Sequence, residues 1–360
     1  MWSVSIRGPP SGPPPIRGYF SKQPSAGLCH DSVRRYYLKQ LLAAASDDSG
    51  MSIPRQVVPG RTYLITRRCS ERRCFLRPDT ETNNAFIYCL ALAAARAKVD
   101  VIFVCAMSDH HHVGIYDREG EFPVFIEHFH GLLARCQNVH LGRFESLWSS
   151  DPTSVVELVE PQDILDKTAY ALANPVAAGL VATAEEWPGV NSFQAMVANQ
   201  PLNATRPKHF FRPKGGQPES VTLPMARPRE FADLSHDQWV QLITDRVREH
   251  EARHRQQREQ AGRQFLGRKA VLEQDPLASP KSEDPHFNLN PRVAAKNKKT
   301  RIQTLRRNSG FLSRYRQAFK DHVADIANVL FPFGTWWMRK FARVACERAE
   351  ALPTLESAPA

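Results

Sequence analysis

Between residues 60 and 190 the apolar positions fall into short, well-marked periods. Arg61–Arg67 (RTYLITR) is rich in β-branched and aromatic residues, which predicts a strand. Asp79–Lys98 is a long Ala/Leu-rich run without Pro or Gly and predicts a helix capped by Asp79 or Thr80. Val101–Met107 (VIFVCAM) is a short apolar run expected as a buried strand, Ser108-Asp109 is turn-like, and His111–Tyr116 is the returning strand. Pro123–Gln137 carries apolar residues at 125, 126, 129, 132 and 133, a helical spacing. Ser154–Val159 predicts another strand, and Gln162–Ala173 a helix stopped by the Asn174-Pro175 step. Strand, helix, strand, strand, helix, strand, helix is an α+β order: a mainly antiparallel sheet with helices packed on it.

The flanks differ in style. Residues 1–50 hold the run Pro9–Pro15, which excludes helix and central strand, and they are expected as a disordered extension with at most a short helix over Ser32–Ala45. The folded part is expected to open at Met51, a candidate initiator, and to run to about residue 195, with Pro188-Gly189 closing it. Residues 196–300 are polar and rich in Pro, Arg and Gln and predict a basic linker region, with a solvated helix over His250–Arg268 and a linker over Ser279–Lys299. Residues 301–350 regain apolar positions and predict a small helical element, separate or docked, before a tail over 351–360.

Charge changes the picture. Of 360 residues, 48 are Lys or Arg and 37 Asp or Glu, a net +11. From Pro201 to Ala360 there are 29 basic and 17 acidic residues, so all of the excess lies in the C-terminal part. That asymmetry points to a polyanion, most simply a nucleic acid, against a merely solvated basic tail. No apolar run reaches the roughly 18 residues of a membrane span, and the N-terminus does not read as a secretory signal. Seven scattered cysteines with no CxxC pair disfavour a disulfide framework or a cysteine zinc site, and a cytoplasmic location is expected.

The segment Asp109-His110-His111-His112 carries candidate chemistry. On a strand His110 and His112 share a face, about 7 Å apart, while His111 points away. Two imidazoles can hold a divalent cation if a third ligand joins them; a surface His-rich triplet is the plain alternative. His128 and His130 have the same spacing, but on a helix they lie about 200° apart and are expected as a half-exposed pair. Tyr170 and Asn174 are one helical turn apart on one face: a nucleophile with a metal ligand, or a packed Tyr with a helix-end Asn.

Taken together, the HxH strand, the Tyr170-x-x-x-Asn174-Pro175 helix end, Gly179-Leu180-Val181 and Glu186-Trp187-Pro188 resemble the single-tyrosine HUH transposases. The nearest group in style is the REP-associated tyrosine transposases of bacteria. The resemblance begins at Val58-Pro59-Gly60-Arg61 and covers roughly residues 52–195. It implies an HUH-endonuclease, ferredoxin- or RRM-like fold. It implies that His110 and His112, with Asn174 as a third polar ligand, bind Mg²⁺ or Mn²⁺, and that Tyr170 attacks a DNA phosphate. The products would be a 5′-phosphotyrosine link and a free 3′-hydroxyl that can reverse the attack without ATP. The implied substrate is a DNA hairpin with an adjacent single strand, bound by a monomer or homodimer in the nucleoid. Three positions depart from the family pattern: His111 stands for a bulky hydrophobe, Asp109 for a common Asn, and Gly114 for an apolar residue.

A phenol of pKa about 10 is ionised about one part in a thousand at neutral pH, so such a nucleophile needs help. Arg61, Arg67, Arg68, Arg72, Arg73 and Arg77 are candidates for DNA backbone contacts, or else a solvated cluster. Lys296, Lys298, Lys299, Arg301, Arg306 and Arg307 can add sequence-independent phosphate contacts, with steep salt dependence. Tyr315, Phe319, Trp336 and Trp337 can stack on bases or fill a small helical core. A non-catalytic regulator that binds repeated hairpins, and an RNA-binding α+β domain, are the competing functions; the first strand offers the latter only Tyr63.

Overall fold

The central strand is β1 (Arg61–Arg68). It pairs antiparallel with β3 (His110–Asp117) on one side and β4 (Ser154–Leu158) on the other, and β2 (Val99–Ala106) pairs antiparallel with β3. The computed structural model describes residues 54–280 and 291–348. The Pro-rich stretch, the helix expected over Ser32–Ala45, Met51, part of the Ser279–Lys299 linker and the 351–360 tail lie outside the described residues.

Each connection has a local cause. Helix α1 (Thr80–Ala97) starts where the Asp79 carboxylate accepts the Thr82 N–H at 2.7 Å. Helix α2 (Phe122–His140) starts where the buried Asp117 carboxylate accepts the N–H groups of Gly120, Glu121 and Phe122 at 2.9–3.0 Å. Helix α3 (Pro161–Leu172) is opened by a reciprocal cap between Glu160 and Asp163. Chain order is therefore β-α-β-β-α-β with sheet order β2-β3-β1-β4, the ferredoxin-like arrangement. The α+β expectation with a mainly antiparallel sheet holds.

The pleat sorts two cores. Tyr63, Ile65, Val113 and Ile115 pack with Phe86, Leu90, Phe125 and Phe129 under α1 and α2. Leu64, Phe103, Val156 and Leu158 pack with Ile164, Leu165, Ala169 and Leu172 of α3 on the other face. Gly114 belongs to that second face and explains one departure from the family pattern. A Cβ there would stand 2.1 Å from the Phe103 ring, so the ring takes the space of the missing side chain.

Of residues 196–300, expected as a linker, the described parts, 196–280 and 291–300, are built into the fold. The hairpin of β5 (Leu202–Thr205) and β6 (Ser220–Leu223) is fastened to α1, where Tyr88 donates to the Pro218 carbonyl at 2.6 Å. The expected solvated helix begins earlier, at His236: α4 (His236–Gln260) buries Trp239, Ile243 and Val247 in the second core. These three residues are spaced by four in a strongly charged helix, so composition alone reads as solvated. Glu251 of α4 is fully buried, accepting from the Ala184 N–H at 2.6 Å and pairing with Arg248 and Arg255. Strand β7 (Val293–Ala294) adds a short parallel edge beside β4. Helix α5 (Lys298–Val323) is docked, with Arg307 donating to Glu157 at 2.6 Å, and Trp336 enters the first core. The described residues 301–348 are thus part of the unit that begins at Pro54. No helix among the described residues is long and apolar enough to cross a membrane.

Candidate active site

β3 presents His110, His112 and Gly114 to the α3 face and His111 to the α1/α2 face. The two imidazoles on the α3 face lie 4.9 Å apart between ring centres, nearly perpendicular. Asp109 Oδ1 holds His110 Nδ1 at 2.7 Å, and Arg72 Nε stands 3.7 Å from the other Asp109 oxygen. Burial alone would raise the Asp109 carboxyl, but beside His110 and Arg72 it stays below its usual range. An ionised Asp109 keeps the proton on His110 Nδ1 and leaves Nε2 as the lone-pair nitrogen.

His112 is fixed from both ends. Thr66 Oγ1 lies 2.8 Å from its Nδ1, and the Asn174 amide 3.1 Å from its Nε2. Thr66 and His112 are direct cross-strand neighbours on β1 and β3. Burial, then the charges of His110, Lys167 and Arg68, push the His112 pKa well below its ordinary value, so the ring is neutral. Neutral imidazole is the form that binds metal.

Tyr170 and Asn174 reach the same place from the end of α3. The helix breaks at Ala173 and resumes for one turn over Asn174–Ala177. Tyr170 puts its ring 5.7 Å from that of His112, and Lys167 Nζ sits 5.2 Å from the Tyr170 ring centre. At 38% exposure the Tyr170 side chain is open to solvent. The structure therefore brings His110, His112, Tyr170 and Asn174 together.

The donors fit a divalent cation. Among the described residues His110 Nε2 makes no hydrogen bond, and His112 Nε2 faces a side-chain amide whose nitrogen and oxygen exchange places on a half-turn. Two imidazoles and one amide oxygen leave positions open for phosphate oxygens. Among the described residues no group of three or more His, Cys, Asp or Glu side chains is placed to hold a metal, so the amide and the substrate would complete the set.

His110, His112 and Tyr170 line an open cleft of about 1190 Å³. One wall is α3, with Asp163, Asp166 and Lys167; the other is α4, with Arg246, Glu249, His250 and Arg253, and the segment 291–301. The arginines singled out from the sequence do not form one patch. Arg68 is exposed at the cleft, whereas Arg67 donates to Thr153 at 2.6 Å and to the Ser149 carbonyl at 3.1 Å. Arg61 lies at the other end of β1, about 23 Å along the strand, paired with Glu157 at 3.5 Å. Arg72 backs Asp109, and Arg73 pairs with Glu71 at 2.8 Å. Of the C-terminal cations, Lys296 and Arg301 line the cleft, while Lys298, Lys299 and Arg306 flank a separate hollow beside Ile302. Tyr315 is stacked on Phe319 and tilted against Phe311, with burial raising its pKa to about 12, and Trp336 is buried; Trp337 alone of the four named aromatics is well exposed.

His130 corrects an expectation. It is buried, not half-exposed, with Nε2 3.0 Å from His111 Nε2 and its ring 5.2 Å from that of Trp148. The pair lies on the face opposite the cleft, so His111 does not share an ion with His110 and His112. Sequence reasoning missed Thr66, Lys167, Arg246, His250 and Arg253. Strand alternation through Leu64 marks Thr66 as a same-face residue; no sequence signal brings α4 to the cleft.

Fold and site together define an α+β protein whose antiparallel sheet sets an imidazole pair and a tyrosine on one face of a basic cleft. No family model matches the chain, and no curated protein matches it. Among solved structures, a REP-associated tyrosine transposase bound to a REP hairpin is similar at 16% identity, with a TM-score of 0.36 over 41% of this chain and 86% of that one.

Proposed function

We propose that this chain is a metal-dependent DNA strand transferase that cuts and rejoins single-stranded DNA beside hairpins. The observation that carries it is the meeting of Tyr170, His112 and Asn174 beside His110 in an open cationic cleft. His110, His112 and Asn174 would hold Mg²⁺ or Mn²⁺, which supplies charge neutralisation at a non-bridging phosphate oxygen.

The remaining work belongs to the chain. Asp109 and Thr66 hold the two imidazoles in one tautomer and orientation. Arg68 and Lys167 offer cations to the DNA phosphates at the cleft floor. Tyr170 Oη attacks phosphorus; its new O–P bond forms as the P–O3′ bond breaks. The 5′ side stays on Tyr170 as a phosphodiester and the 3′ side leaves as a hydroxyl. Because the phosphodiester energy is kept in the tyrosyl link, attack by a 3′-hydroxyl rejoins strands without ATP. The substrate places the protein with DNA in the bacterial nucleoid.

Labelled single-stranded hairpins incubated with Mg²⁺ or Mn²⁺ should give a denaturant-stable protein–DNA band, absent in Tyr170→Phe and strongly reduced in His112→Ala. A band that persists in Tyr170→Phe would refute this nucleophile. Tight hairpin binding with no adduct from the native chain would make it a non-catalytic regulator instead.

A further inference from the structure

Proton transfer at Tyr170 needs a group that the metal-binding residues do not supply. The phenol must lose a proton as its bond to phosphorus forms, and the departing O3′ must gain one. His110 and His112 are committed to the cation in the proposed reaction. The other titratable side chains of the cleft near α3 are almost all occupied. Asp163 accepts the Lys296 N–H at 2.9 Å and the Glu160 N–H at 3.2 Å. Asp166 pairs with Arg246 at 3.4 Å and with Lys296. Glu249 is shared by Arg246 and Arg253 at 3.0 and 3.3 Å. Lys167 is an ammonium and carries no lone pair.

His250 is the exception. It lines the same cleft, is half-buried, and its ring makes no hydrogen bond among the described residues. Its place along α4 follows from the docking of the helices. Arg246 meets Asp166 on α3. Further along α4, Arg255 donates to the Ala182 carbonyl at 3.0 Å and the Arg258 guanidinium covers Gly179, both downstream of α3. The two helices therefore run in the same sense, and helix spacing puts Tyr170 and His250, both lining the cleft, at matching levels one turn beyond the Asp166–Arg246 contact.

We infer that His250 is the proton-transfer residue of this site, resting on the strand-transfer reading above. Its neutral imidazole takes the phenol proton as the Tyr170 Oη–P bond forms, and the imidazolium returns it to O3′ as the P–O3′ bond breaks. The electron pair of the broken bond leaves on O3′, which the proton neutralises; no other reactant is needed. The charged groups acting on the ring are Arg253, His254 and Glu249 from α4 itself and Asp166 from α3; Arg246 of α4, Lys167 of α3 and Lys296 of the 291–301 wall line the same cleft. Burial first, then Arg253 and His254, lowers its pKa, against the opposing pull of Asp166 and Glu249, so the ring is in its basic form at neutral pH.

The test is the single-turnover rate of adduct formation against pH for the native chain, His250→Ala and His250→Gln, with hairpin affinity measured in parallel. The native rate should fall on the acid side of neutrality as the imidazole is protonated, at a lower pH than an ordinary histidine would give. Both variants should lose about a hundredfold or more in rate at neutral pH with hairpin affinity unchanged. That acid limb should vanish, and added imidazole should restore rate to His250→Ala. An unchanged rate and profile in both variants would overturn the inference, as would rate and affinity falling together without imidazole rescue. A native chain that forms no adduct at any pH would instead remove the strand-transfer reading, and this proton transfer with it.

Discussion

Gly114→Ala is the smallest change that should disturb the site face of the sheet. The new Cβ would stand 2.1, 2.4 and 2.5 Å from the Cε1, Cδ1 and Cζ atoms of Phe103. Carbon atoms rest at about 3.5–4.0 Å, so ring or strand must move by more than 1 Å. Phe103 is fully buried in the second core, and Gly114 is its cross-strand neighbour, so neither has free space to move into. Overpacking of this kind costs about 1–3 kcal/mol. Phe103→Leu alone removes part of the ring volume and should destabilise through a cavity. In the double variant the methyl enters the vacated space, so the two losses should overlap by about 0.5–3 kcal/mol. Urea unfolding followed by circular dichroism measures all four corners of this cycle, with an unchanged m-value confirming a stability effect. Adduct formation should track it, because His112 is the next same-face residue along β3. Additive losses in the cycle, or a Gly114→Ala chain as stable as the native one, would refute the steric account.

Asp109→Asn should raise the Mn²⁺ concentration needed for half-maximal adduct formation by about 10–100-fold, since the orienting charge behind His110 is lost; a metal titration reads this directly. Burial, then the Arg67 charge, pushes His130 down to about 3, far below its unfolded value. The unfolded chain then binds the extra proton between these values, so this contribution is complete above about pH 6.5 and is lost as pH falls toward 3, at up to about 1.4 kcal/mol per pH unit. His130→Gln should show a shallower acid dependence of unfolding midpoint than the native chain. Arg68→Ala should weaken hairpin binding and flatten its salt dependence, whereas Arg61→Ala, paired with Glu157 away from the cleft, should lower stability and leave binding unchanged; fluorescence anisotropy across a salt series separates the two.

Local periodicity is enough to determine the β-α-β-β-α-β order and the faces of its residues. A strand reverses side-chain direction at each step, which places His110 and His112 together and His111 apart whatever surrounds them. A helical turn does the same for Tyr170 and Asn174. Only the tertiary structure decided what these residues meet. Thr66 and Asp109 orient the imidazoles because β1 and the β2–β3 turn are brought beside β3. His130 became a buried partner of His111 because α2 covers the other face of the sheet. The arginines separated because β1 spreads Arg61, Arg67 and Arg68 along its length and on both faces, and because Arg61 and Arg72 are held by carboxylates distant in sequence. The second wall of the cleft rests on Trp239, Ile243 and Val247, a thin apolar stripe in a charged helix. Such a stripe signals burial only once a matching surface on α3 and the sheet is present to receive it, and that match is a property of packing rather than of any local stretch of chain.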